Sequence, residues 1–116
     1  MQPIKCLRLT HVNLRVDRLE PALRFYMDVL RLESVTRRDA ESRGAWLRVG
    51  DAEIHLAEDA APQPASNRHI ALEVADLPAA RAAVAGSGAV IEKEEKGVRF
   101  WTRDPAGNRL EIVGPG

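Results

Sequence analysis

At 116 residues, with 45% hydrophobic and 29% charged side chains, the chain is long enough to bury one core and too apolar to stay disordered. Seventeen basic and seventeen acidic residues cancel, which argues against non-specific binding to nucleic acid or a membrane surface. The single cysteine, Cys6, excludes an internal disulfide and a cysteine-rich zinc module; with no signal-like start and no long apolar run, a cytoplasmic protein is expected.

Residues 7–16 predict a strand with Val12, Leu14 and Val16 on one face and His11, Asn13 and Arg15 on the other. Asp17 is the predicted N-cap of a helix that carries Leu19, Leu23, Tyr26, Met27 and Leu30 at helical spacing. Strands near 33–38, 44–49 and 52–58 follow, the last two joined by a hairpin turn at Gly50-Asp51. Pro62 and Pro64 mark a linker over about 59–67. Beyond it, Ile70, Leu72 and Val74 form the apolar face of another strand. Asp76-Leu77-Pro78 opens a second helix and Gly86-Ser87-Gly88 ends it. Strands near 89–95, 98–103 and 109–113 complete the chain, with a turn at Asp104-Pro105-Ala106-Gly107-Asn108.

The two halves repeat one another. Shifting 11–22 by 58 positions aligns His11 with His69, Leu14 with Leu72, Val16 with Val74 and Leu19 with Leu77. Trp46 and Arg48 meet Trp101 and Arg103 at a shift of 55, and His55-Leu56 meets Glu111-Ile112 at 56. Each half therefore reads β-α-β-β-β. The expected fold class is α+β: one domain over 1–116, with modules over about 5–58 and 68–114 forming a cup-shaped mixed sheet and the helices outside.

Strand alternation places His11, His55, His69 and Glu111 on the faces opposite their apolar neighbours. Singly, each histidine reads as a hydrogen-bonded strand residue. Together, all three histidines of the chain and one carboxylate at repeat-related positions point to a divalent metal site for Fe, Mn, Zn or Ni. Trp46 and Trp101 are expected on the same inner faces, as substrate wall or as filling. Arg48 and Arg103 are placed to clamp an anionic group, or else to pair with Glu53 or Glu111. The run Glu92-Lys93-Glu94-Glu95-Lys96 reads as a solvated edge.

Four strings carry a family resemblance: H-V-N-L-R-V at 11–16, L-R-F-Y-M-D-V-L at 23–30, R-H-I-A-L-E-V at 68–74 and D-P-A-G-N-R-L-E at 104–111. They resemble the vicinal oxygen chelate superfamily, which includes glyoxalase I, bleomycin-resistance proteins, fosfomycin thiol transferases and extradiol dioxygenases. The resemblance implies a metal held by His11, His55, His69 and Glu111. It implies a small-molecule substrate with adjacent oxygens and a glyoxalase-like lyase or isomerase reaction, with Glu111 moving the proton. Asn13 stands where fosfomycin enzymes commonly have a threonine, and it joins Arg48, Arg103, Trp46 and Trp101 as a candidate substrate contact. A fosfomycin-type thiol transferase and a non-catalytic, bleomycin-resistance-like binding protein are the alternatives. The absence of a fourth histidine disfavours ring cleavage. Open sheet edges predict a homodimer, and a linker of about ten residues spans roughly 30 Å when extended, which permits a site within one chain or across two.

Overall fold

The computed structural model describes residues 2–37 and 42–116. The first module contains β1 (His11–Val16), α1 (Leu19–Leu23) with a π-wound continuation over Arg24–Val29, β2 (Glu33–Val35), β3 (Gly44–Val49) and β4 (Ala52–Glu58). The second contains β5 (His69–Glu73), α2 (Leu77–Gly86), β6 (Lys93–Glu95), β7 (Arg99–Arg103) and β8 (Arg109–Val113). They form two four-stranded sheets of matching order, β1-β4-β3-β2 and β5-β8-β7-β6. In each, the first strand runs parallel to the last and the other pairs are antiparallel. Each sheet thus ends in an open edge, β1 or β5, paired on one side only. Among the described residues, no helix is long and apolar enough to cross a membrane.

The period-2 pattern decides which face is buried. Val16, Leu47, Ile54 and Leu56 pack under Phe25 and Tyr26 in the first module, while Phe100, Leu110 and Ile112 pack with Val84 in the second. All belong to one continuous core. Val49 pairs with Ala52 across a two-residue turn, where Gly50 takes a φ of +59° that a side chain would resist. At Gly44 a Cβ would lie 2.2 Å from the Leu56 carbonyl oxygen, so β3 approaches β4 there only because the side chain is absent.

Several elements differ from their sequence prediction. The first strand begins at His11 rather than residue 7, because β4 pairs from Ala52 onward and offers no ladder to earlier residues. The strand expected over 33–38 spans Glu33–Val35, and position 38 lies outside the described residues. The strand expected over 89–95 is confined to Lys93–Glu95. Asp17 does not cap α1: the flanking residue is Arg18, and Glu58 Oε2 accepts the Leu19 N–H at 2.8 Å from the end of β4. The second helix is capped as predicted, with Asp76 Oδ1 accepting the Ala79 N–H at 3.0 Å.

One buried polar cluster ties the modules together. Asp104, 4% exposed, accepts the Tyr26 hydroxyl proton at 2.7 Å, while Asn108 Nδ2 donates to the Arg15 carbonyl at 2.7 Å. Burial first, and then the adjacent Asp104 carboxylate, push the Tyr26 phenol well above its ordinary value of about 10. The unfolded chain therefore loses this proton first as pH rises, so the associated stability is complete below pH 10 and is lost above it. Denaturant titrations at pH 9 and pH 11 are expected to show a larger fall for the wild type than for Tyr26→Phe. Equal falls would mean that Tyr26 contributes nothing to alkaline unfolding.

Candidate metal and substrate site

On the inner face of the first sheet, three rings stack. Trp46 lies 4.2 Å from His55 at 4° between planes, and His55 lies 4.1 Å from His11 at 14°. Register brings Trp46 and Asn13 to either side of His55. His55 Nε2 sits 2.8 Å from Glu53 Oε1, so the ring is held by its two faces and one edge. His11 is held at Nδ1 by the Thr10 hydroxyl at 3.1 Å, which leaves Nε2 as its outward nitrogen.

On the inner face of the second sheet, Glu111 is 7% exposed between Leu110 and Ile112, which point the other way into the core. Arg99 Nη1 donates to its Oε2 at 3.0 Å, and His69 Nε2 lies 3.1 Å from its Oε1. His69 Nδ1 sits 3.0 Å from the Asn67 carbonyl, an oxygen that only accepts, so Nδ1 carries the proton. Nε2 then turns toward a second acceptor, the Glu111 carboxylate. This arrangement calls for a positive centre on or between the two groups, either a proton or a metal ion. An imidazole whose far nitrogen donates to a backbone carbonyl is the usual posture of a metal-ligating histidine.

Trp101 lies beside this pair, with Lys93 Nζ 5.2 Å and the Arg109 guanidinium 5.6 Å from its ring centre. Its indole N–H is buried without a hydrogen-bond partner among the described residues. Arg103 is tied down by Glu92 at 2.7 Å and by the carbonyls of Ser66 and Gly107, not by Glu53 or Glu111. Arg48 is exposed opposite Glu53 in the ladder, and Asn13 is exposed on β1. The 92–96 run lies on an exposed edge, yet Glu92, Glu94 and Glu95 are each ion-paired, to Arg103 and Arg109, to Arg81 and to Arg99.

One chain therefore brings His11 to His55, and His69 to Glu111. Among the described residues, no three His, Cys, Asp or Glu side chains converge as a metal set. Sequence reasoning passed over Arg99, and it named Glu53 only as an arginine partner rather than as the partner of His55, although each lies two residues from a residue it singled out and so shares its strand face. It also passed over Asn67, whose contribution is a backbone carbonyl and leaves no trace in residue type.

The chain thus has an α+β architecture of two matching β-α-β-β-β modules, each with an imidazole on its inner face. Residues 8–112 match the Glyoxalase/Bleomycin resistance protein/Dioxygenase superfamily, and the chain belongs to that family. No curated protein matches the sequence. Among solved structures, the chain is similar to a putative glyoxalase family protein from Bacillus anthracis, with TM-score 0.85 and 22% identity over 99% of this chain and 100% of that one. It is similar to the fosfomycin resistance protein FosX from Mesorhizobium loti, with TM-score 0.80 and 19% identity over 94% and 92% of the two chains. A mutant of FosX from Listeria monocytogenes, complexed with Mn(II) and 1S,2S-dihydroxypropylphosphonic acid, gives TM-score 0.83 at 15% identity over 97% and 95%.

Proposed function

We propose that the protein is a metal-dependent, glyoxalase-like enzyme of the lyase or isomerase type. It acts on a small substrate with two adjacent oxygens. The observation that carries this reading is the His69–Glu111 pair, with its far nitrogen given to Asn67 and its carboxylate steadied by Arg99. Imidazole and carboxylate donors suit Fe, Mn, Zn or Ni. His69, Glu111 and His11 would hold the ion, which supplies Lewis acidity toward the two substrate oxygens. Arg99 keeps Glu111 oriented while that carboxylate moves the substrate proton, and Trp46 and Trp101 shield the inner face from water. His55, clamped between Trp46 and His11 and bonded to Glu53, serves chiefly to fix the His11 ring.

Since one chain leaves the donors two and two, the site is completed by a second copy in a homodimer. His11 then comes from one protomer, and His69 with Glu111 from its partner. The open β1 and β5 edges, each carrying one of these histidines, are the natural seam. Chelator-treated, tag-free protein titrated with Mn, Zn, Ni and Fe ions tests the reading. Saturable binding of about one ion per chain, with turnover restored, is expected. No binding of any of the four ions would leave a non-catalytic binding protein. A second reading, a fosfomycin-type thiol transferase, is favoured by the fold likeness to fosfomycin resistance proteins; thiol-dependent consumption of fosfomycin would support it.

A further inference from the structure

A cleft of about 1180 Å³ opens between the end of β1, the segment over 63–68 and the first residues of β5 and β8. Its charged lining is one-sided. Arg15, Arg68, Arg103 and Arg109 face a single lining carboxylate, Glu92. That carboxylate is shared by Arg103 Nε at 2.7 Å and Arg109 Nε at 3.1 Å. Arg15 Nη2 donates to the Ala61 carbonyl at 2.5 Å; its Nε lies 3.6 Å from Asp59, too long for a hydrogen bond, and is buried without one among the described residues. The Arg68 guanidinium has no hydrogen bond or ion pair among the described residues. Four guanidinium groups against two carboxylates leave two positive charges unmatched, in a chain whose charges cancel overall.

Positive charge concentrated in a concave, low-dielectric wall attracts anions far more strongly than the same charge spread over a surface. Guanidinium groups also match planar and tetrahedral oxyanions through paired N–H donors. His69 lines the same cleft and is the residue that meets Glu111. We propose that this cleft is an anion subsite which holds a dianionic group of the substrate, a phosphate monoester or a dicarboxylate, with Arg68 as the principal contact. It delivers the adjoining part of the molecule to His69 and Glu111. All four arginines of the subsite come from one chain; that its occupant is a substrate rests on the metal-enzyme reading above.

Calorimetric titration of chelator-treated protein at constant ionic strength tests the subsite without the metal. Inorganic phosphate and malonate are the dianionic probes, and acetate is the monoanionic control. Saturable binding of at least one dianion, at least tenfold tighter than acetate, is expected, and the stronger of the two names the substrate group. Arg68→Gln is expected to lower that affinity at least tenfold while leaving thermal stability and metal titration unchanged, because Arg68 holds no other side chain. Dianions that bind no better than acetate, or an Arg68→Gln variant that matches the wild type, would overturn the proposal. Intact dianion binding in a protein that takes no metal would support the subsite and remove the metal-enzyme reading instead.

Discussion

Replacing Asp104 with alanine is expected to destabilise the protein by about 3–5 kcal/mol, among the largest single-residue effects available to it. The side chain is 4% exposed and accepts the Tyr26 hydroxyl at 2.7 Å, together with the Ala106 N–H, the Asn108 N–H and Asn108 Nδ2 at 2.9 Å each. Alanine removes all four bonds and leaves those donors in a place water reaches poorly. The melting temperature should fall by roughly 15 °C. Tyr26→Phe removes one bond and keeps the ring, so it should cost only about 1–2 kcal/mol. Denaturant titration of both variants separates the contributions. Equal losses would mean that the turn before β8 holds itself together without Asp104. Because that turn leads directly into the strand bearing Glu111, its loosening should also weaken metal binding.

Glu111→Gln is expected to lower metal affinity at least a hundredfold and to take turnover below detection. Glutamine keeps the shape of the side chain but removes the only carboxylate among the proposed ligands and, with it, the proposed proton carrier. Among the described residues, Arg99 would then keep Glu95, which it meets at 3.2 Å, as its one ion-pair partner. His55→Ala should cost less than tenfold in affinity, since His55 Nε2 already faces Glu53 and the ring acts through His11. Parallel titrations of one metal, at one pH and with equal folded fractions, provide the comparison. A His55→Ala loss as large as that of Glu111→Gln would make His55 a full ligand.

The fold was legible because the period-2 pattern is written twice. Val12, Leu14 and Val16 recur as Ile70, Leu72 and Val74, a row that packs on the core with Val16 fully buried, while His11 and His69 take the opposite face. Turn chemistry was equally plain at Gly50-Asp51 and over 104–108. What escaped were contacts between residues distant in sequence. Glu58 reaches 39 positions back to cap Leu19, which no local reading of Asp17 reveals. Tyr26 meets Asp104 across 78 positions. Alternation places His11, His55, His69 and Glu111 on the faces opposite their apolar neighbours, but it says nothing about which of these side chains come together. Arg103 illustrates the same limit: the linker at Ser66 and the turn at Gly107 each supply a carbonyl partner that strand alternation does not reveal.

In the proposed site, His11 of one protomer and the His69–Glu111 pair of its partner share a metal. The most direct measurement is subunit mixing. His11→Ala and Glu111→Gln are each expected to abolish tight binding when pure. After unfolding and refolding in equal amounts, half of the dimers formed are mixed, and each mixed dimer carries one intact and one doubly defective site. Metal titration of the mixture should therefore recover about a quarter of the wild-type sites, with wild-type affinity, because a shared interface alone regenerates a complete set. Recovery of no sites, from variants that refold and associate normally, would contradict the claim and place the whole site within a single chain.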